Sequence, residues 1–386
     1  MKNFKISFIN HASLLVQTKF CNILTDPWYI SSAFGKWYHY PSPNYEDIKK
    51  IIKNEKKTYT LISHGHDDHL DDYFIKNYLN ESQILISNFK SKGFFHRVNK
   101  LSASTPIQIE QELSKPLKIK DNLFYSYSNK GMNNDSILMI ANNHELIIHA
   151  NDNYREQPRE ILTNIKRIAQ NKKIYYFSQV GIASSFPAVF RNLTKEKRKK
   201  VIRSEHKRFL KDFEKNIEYI KPDLAFIYAN QYKFDNDENL SYYDDVQELI
   251  AKHSSIKQIK PGDQIINGKF IRNKKRKKNL FDVLLKKLED LNNNYINSKI
   301  NTKLRLSFLA LDKNKNINPK KNIIYFITSK SVWSSIINGN INMETILIGG
   351  NGTIIKVHNQ NMREVSICIS EFSYIYQNKI SKNLFS

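Results

Sequence analysis

The segment Ile62-Ser63-His64-Gly65-His66-Asp67-Asp68-His69-Leu70-Asp71 constrains the fold more than any other part of the chain. It packs three imidazoles and two carboxylates into six residues, directly after the apolar run Thr58-Tyr59-Thr60-Leu61-Ile62. Such a run reads as a strand, and a helical pattern follows the loop. In a loop leaving a strand, His64 and His66 can converge on one ion while Asp68 and His69 turn toward a second point a few Å away. Nitrogen and oxygen donors of this kind suit a divalent metal, zinc first, with iron or manganese also accommodated. The competing reading is a surface turn that happens to be His-rich, and the density of ligand types after a strand argues against it. The only cysteines are Cys21 and Cys368, so this chain alone cannot hold a disulfide framework, a four-cysteine zinc module or an iron–sulfur cluster. Any metal rests on His and carboxylate.

At 386 residues the chain predicts two or three domains, and 40% hydrophobic with 12% aromatic residues is the composition of a folded protein. Lys5-Ile6-Ser7-Phe8-Ile9, Leu14-Leu15-Val16 and Asn22-Ile23-Leu24-Thr25 are compact strand-type runs, and further strands are expected at residues 84–86, 137–140, 146–149, 174–177 and 224–228. Helices are expected around residues 45–53 and 158–170. A longer helix over 194–220 carries Val201, Ile202, Phe209, Leu210, Phe213 and Ile217 as its apolar stripe. The pattern predicts a layered α/β unit over residues 1–268. A basic linker with a helix over 280–291 occupies 269–300, and a small α+β unit fills 301–386, with strands expected at 304–311, 323–327, 345–348, 353–357 and 365–369. No internal repeat is visible.

The order His-x-His-x-Asp-His resembles the metallo-β-lactamase fold, in which two ββα halves hold a metal site at the sheet ends. The resemblance implies an α/β, four-layer αββα sandwich, here followed by the small C-terminal unit. It matches the family's early carboxylate to Asp26 in Leu24-Thr25-Asp26-Pro27-Trp28, where it would buttress the His loop. The family's bridging carboxylate matches Asp152 in Ile147-Ile148-His149-Ala150-Asn151-Asp152. Asn10-His11-Ala12-Ser13, the Asp26 segment, the His loop, Gly181-Ile182-Ala183-Ser184-Ser185-Phe186-Pro187-Ala188-Val189-Phe190 and the basic helix are, in order and spacing, similar to the metallo-β-lactamase-like domain of CMP-N-acetylneuraminate hydroxylase over residues 4–265. More distantly the same features resemble the ascorbate-6-phosphate lactonase and N-acyl-phosphatidylethanolamine phospholipase D branches.

Three departures qualify the likeness. The cysteine set of a Rieske domain is absent from this sequence, so the hydroxylase's chemistry would need electrons from a separate protein. Most members place a His before the bridging Asp, whereas residues 126–136 offer Asp135 as the candidate substitute ligand. The family's terminal His would follow the strand at 224–228, where the text is Ala229-Asn230-Gln231-Tyr232.

The resemblance sets His11 at the mouth of the metal site, and an imidazole is a natural proton carrier near neutral pH. The expected metal ligands are His64, His66, Asp68, His69, Asp135 and Asp152, with Asp68 and His11 as catalytic groups and Asp26 supporting the loop. Trp28 belongs to a loop rich in aromatics (Tyr29, Phe34, Trp37, Tyr38, Tyr40) that can stack on a sugar or base or pack on the sheet. Trp28, Tyr232, Ser184 and Ser185 are the expected substrate contacts, the serines lying in a loop of small residues suited to close backbone approach.

Lys+Arg total 61 against 37 Asp+Glu, a formal charge of +24. Part of it gathers on the helix after residue 194, where it would face an anionic substrate; the rest follows a chain-wide Lys, Asn and Ile bias, and a nucleic-acid partner is not favoured. No apolar run approaches the ~20 residues of a membrane span, and no cleavage site follows the first apolar stretch, so a cytoplasmic location is expected. The sum of these features predicts a metal-dependent hydrolase acting on an anionic, sugar- or nucleotide-linked small molecule. The alternatives are an oxygenase component served by a separate electron-transfer protein, and an RNA-binding or RNA-processing protein.

Overall fold

Strands buried on both faces need helices above and below them, and the apolar runs of this chain meet that need. The structure is a computed structural model that describes residues 3–128, 135–153, 155–181, 192–229, 232–234, 246–273, 278–300, 305–311, 320, 322–347, 352–355, 365–372 and 384–385. The first stretch runs β1 (Lys5–Asn10), β2 (Ser13–Gln17), β3 (Asn22–Thr25), β4 (Trp37–His39), α1 (Tyr45–Ile52), β5 (Thr58–Ile62), α2 (Asp72–Tyr78), β6 (Gln83–Ser87), α3 (Gly93–Asn99) and β7 (Ile107–Ile109). The second runs β8 (Leu117–Ile119), β9 (Asn122–Tyr127), β10 (Ile137–Ala141), β11 (Glu145–Asn151), α4 (Arg159–Ile168), β12 (Lys173–Gln179), α5 (Lys195–Ile220), β13 (Leu224–Tyr228), β14 (Tyr232–Phe234), α6 (Val246–Lys252), β15 (Ile256–Gln258), β16 (Gln264–Ile266) and β17 (Lys269–Ile271). The last comprises α7 (Leu280–Ile300), β18 (Arg305–Ala310), β19 (Ile323–Thr328), α8 (Lys330–Ile337), α9 (Glu344–Leu347) and β20 (Gly352–Ile355).

Two sheets face each other, ordered β17-β16-β1-β2-β3-β5-β6-β7 and β15-β13-β12-β11-β10-β9-β8. Within them β3, β5, β6 and β7 are mutually parallel, as are β11, β12, β13 and β15. Side-chain alternation divides the core. Ile6, Phe8, Leu14, Leu61 and Leu85 meet Leu138, Ile147, Phe177 and Phe226 between the sheets. On the outer face of the second sheet, Ile148, Tyr176 and Ile137 pack under Leu162, Ile165, Phe209, Phe213 and Ile217 of α4 and α5. On the outer face of the first, Leu24, Ile62, Ile84 and Ile86 pack under Ile48, Phe74 and Val98. The result is the expected four-layer αββα sandwich.

The C-terminal three-stranded sheet, β18-β19-β20, is tied into the outer layer of the first sheet: Leu284, Leu288, Phe326, Trp333 and Ile336 belong to the same apolar cluster as Ile62 and Phe74. The first sheet also passes the expected boundary at 268, since Gln264–Ile266 pairs with β17. Helix α7 continues beyond residue 291 to Ile300. Two expected strands are helical instead. Residues 344–347 form α9, with Met343 and Ile346 buried one helical turn apart, and residues 365–372 are helical with Val365, Cys368, Ile369 and Phe372 buried at the spacing of a helix face. Among the described residues no helix is long and apolar enough to cross a membrane.

Candidate metal centre

The ends of β1, β3, β5, β11 and β13 lie along one edge of the sandwich, the edge that open α/β sheets use for ligands. Five of the ten described non-glycine residues with left-handed φ stand there: His11 (47°), Asp26 (33°), Phe34 (50°), Asn151 (52°) and Ala229 (57°). Strain concentrated in this way marks a site whose surroundings over-determine it.

Asp26, fully buried after β3, organises the centre. Its Oδ1 accepts from the Ser63 amide at 2.8 Å, and its Oδ2 from Ser63 Oγ at 2.7 Å, His69 Nδ1 at 2.9 Å and His149 Nε2 at 2.9 Å. A carboxylate only accepts, so His69 carries its proton on Nδ1 and turns Nε2 toward the centre. His149, which alternation on β11 points between the sheets, is held from behind by the Tyr228 hydroxyl at its Nδ1. Burial works against the charge on Asp26, but His149 and His69 hold its carboxyl well below the usual range.

Two groups of ligand atoms result, each mutually within 4.8 Å: His64, His66 and Asp152, and His11, Asp68 and His69. His64 Nε2 lies 2.9 Å from His66 Nδ1 and 3.7 Å from Asp152 Oδ2. The other oxygen of Asp152 lies 3.3 Å from His69 Nε2, so one carboxylate reaches both groups. In the second group Asp68 Oδ2 is 3.2 Å from His11 Nε2 and 3.6 Å from His69 Nε2. Asp68 Oδ1 is buried without a hydrogen bond.

The electrostatics call for a cation at this place. Burial depresses His69, yet Asp152 and Asp68 reverse the effect and hold its imidazole well above the ordinary value. Burial and the neighbouring His69 push His64 down to about 4, and burial with His64 lowers His66, so both offer free lone pairs at neutral pH. Against the penalty of burial, Asp68 and Asp152 are both held low, chiefly by His69. Neutral His64 and His66 beside ionised carboxylates, with an unsatisfied buried oxygen between them, fit a divalent metal, which would displace the extra proton held on His69.

Two of the expected site residues stand behind the centre. Asp135 joins neither group: its Oδ1 lies 3.4 Å from Nδ1 of His64, the nitrogen that faces Ser63 and points away from His66. It stands behind a ligand, and burial and Asp152 push its carboxyl up to about 8. Trp28 is fully buried, its indole N–H on the Ser31 carbonyl at 2.6 Å and its ring edge-on to His11 at 5.1 Å, so it packs behind the site and offers no face to a substrate. Tyr232 is half-buried, stacked on Trp37 at 4.3 Å and 5.9 Å from His11, at the rim. Ser184 and Ser185 lie outside the described residues.

Two further supports, Arg97 and Asp71, hold the loop and its surroundings. Arg97, on α3, donates to the Gly65 carbonyl at 2.6 Å and to Asp67 and Asp72 at 3.1 and 3.0 Å, which fixes the turn between His64 and His66. Asp71 caps α2 through Phe74 N and takes the amides of Tyr29, Ile30 and Ser31 on its other oxygen. An Asp directly before a helix was the available signal for Asp71; nothing local in the sequence points to Arg97, which lies 32 residues from the carbonyl it holds.

No family model matches the chain. A Rieske 2Fe-2S iron–sulfur protein of Mycolicibacterium smegmatis is 26% identical over 82 residues, 21% of this chain and 15% of that protein. One from Mycobacterium tuberculosis is 26% identical over 98 residues, 25% of this chain and 18% of the other. The match thus spans less than a fifth of these curated relatives. Among solved structures, CmlA, a diiron β-hydroxylase from Streptomyces venezuelae, has a TM-score of 0.45 at 13% identity, covering 71% of this chain and 55% of that one. A possible metal-dependent hydrolase from Veillonella parvula scores 0.47 at 13% identity (69% and 99%), and the metallo-β-lactamase fold protein YhfI from Bacillus subtilis 0.40 at 12% (68% and 98%). By its own layers and parallel strands the chain is a four-layer αββα sandwich, with clustered His and Asp side chains at one edge of its sheets.

Proposed function

We propose that the chain is a metal-dependent hydrolase acting on an anionic small molecule. The observation that carries this reading is the pair of His/Asp groups sharing Asp152 at one sheet edge. His64, His66 and Asp152 would hold one divalent ion, and Asp68 and His69 would contribute to a second position. A divalent metal held there, zinc first among the candidates, would lower the pKa of a bound water to about 7 and would polarise a scissile carbonyl or phosphoryl group.

The chain's own residues supply the rest. Asp26 fixes the orientation and tautomer of His69, and Ser63 meets Nδ1 of His64 at 2.9 Å, which leaves Nε2 toward the centre. Asp68, ionised and with one oxygen unpaired, is placed to take and hold a proton at Oδ1. The stacked Trp37 and Tyr232 wall the approach from one side. Support for an anionic substrate comes from α5, whose first turns carry Lys195, Lys197, Arg198, Lys199 and Lys200 and which follows β12, a strand whose carboxyl end lies on the site's edge.

The test is the double variant His64→Ala/His66→Ala assayed beside the parent on lactones, phosphodiesters and phosphosugars. Metal-dependent turnover of at least one class by the parent, lost in the variant, is expected; equal turnover by both would end the reading. A second reading, an oxygenase component that draws electrons from a separate protein, is favoured by the Rieske naming of the curated relatives. It predicts iron in the purified protein and oxygen uptake only when an electron donor is added.

A further inference from the structure

We infer that His11 is a metal ligand which completes the second ion position, so that this position has four protein donors and the first has three. The inference rests on the metal-centre reading above. Its first support is distance. His11 Nε2 belongs to the same 4.8 Å group as Asp68 and His69, and Asp152 Oδ1, 3.3 Å from His69 Nε2, stands beside that group as its fourth donor in this proposal. The first position has His64, His66 and the other oxygen of Asp152.

The second support is how His11 is held. Its backbone has φ 47°, costly for a residue with a Cβ, and several bonds enforce it. Thr25 Oγ1 donates to the Ala12 carbonyl at 2.9 Å while accepting from Leu14 N at 2.9 Å, which locks the turn after His11. The Ala229 amide donates to the His11 carbonyl at 3.0 Å. That bond joins the β1–β2 turn to the end of β13, after which residues 229–234 include no histidine. Trp28 presses edge-on against the ring from behind. The imidazole is therefore delivered to the place beside β13 from a neighbouring turn, with its Nε2 fixed on the Asp68 side.

A closed four-donor position beside a three-donor one has a chemical consequence. Four protein ligands suit an ion that stays, and three leave room for water. An ion held by His11, Asp68, His69 and Asp152 would then be the tighter one, and the His64–His66 position would be the one with room for water.

The test uses the full-length chain stripped of metal and titrated with Co²⁺, with bound metal measured after dialysis and the visible spectrum recorded. The parent is expected to bind two equivalents, the tighter giving the spectrum of a His/carboxylate site. His11→Gln, which keeps a side-chain N–H for Asp68 but removes the imidazole, is expected to weaken the tighter equivalent by more than about 100-fold, beyond the roughly 10- to 100-fold that loss of an outer-shell partner costs. His66→Ala is expected to weaken only the other. His11→Cys should restore tight binding with a new sulfur-to-cobalt band, which also shows that the turn tolerates substitution. Unchanged stoichiometry, affinity and spectrum in His11→Gln, with no new band in His11→Cys, would overturn the inference while leaving the metal centre standing. A parent that binds no Co²⁺ would instead remove the centre itself.

Discussion

Asp26 accepts four hydrogen bonds from three residues while wholly out of water, so its charge is costly to replace. Asp26→Asn keeps the shape but removes the charge and presents an amide N–H to a donor; about 3–5 kcal/mol of stability should be lost, as when one member of a buried ion pair is removed. Urea denaturation of the metal-free proteins measures this, and a loss below about 1 kcal/mol would contradict the role. Arg97 is different, being about one-third exposed, so its ion pairs add little to stability. Its value is positional: Arg97→Ala should weaken metal binding about 10-fold or more with a nearly unchanged melting temperature, a split read by metal competition and calorimetry. His39, buried against Trp28, makes a pH prediction. Burial pushes its imidazole down from 6.5 to about 3. Between those values the unfolded chain binds a proton that the folded one does not, so stability falls as pH drops through the window, by up to about 1.4 kcal/mol per unit. His39→Gln, which keeps an N–H for the Trp28 carbonyl, should flatten the acid side of the metal-free protein's stability profile; an unchanged profile would refute this.

Among the elements, α7 and α8 carry the C-terminal unit into the main core. Trp333 is fully buried, stacked on Phe308 at 4.8 Å, with its indole N–H on the Leu309 carbonyl at 2.8 Å. Its replacement by Ala should cost about 3–5 kcal/mol. Because Trp333 shares one apolar cluster with Ile62 at the start of the His loop, unfolding should remain a single transition, and a separate early melt of the C-terminal unit would show the cores to be independent. Helix α5 was legible because its stripe of Ile202, Phe209, Leu210, Phe213 and Ile217 runs at helical spacing over a long window, and those residues are buried in the structure. The runs at 345–348 and 365–369 were not, because a short apolar stretch fits strand and helix alike. Only the neighbours Met343 and Phe372 complete the helical spacing.

For the molecule as a whole, two sheets bring to one edge five chain segments that are far apart in sequence. The His loop and Asp152 were legible because ligand types follow recognisable strands. The reach of Asp152 to both groups, the support from His149 and Tyr228, and the placement of Asp135 behind His64 depend on sheet-to-sheet packing that no local pattern encodes. The formal charge of +24 acts at this scale too: kcat/KM for an anionic substrate should fall as salt rises, and a salt-independent value would separate the basic helix from substrate capture. The element content of the protein as purified, before any metal is added, tests the metal centre most directly. At least one equivalent of zinc, iron or manganese per chain is expected, reduced in His64→Ala/His66→Ala, and this is the central prediction. A folded parent without stoichiometric metal, and unable to take it up, would contradict it.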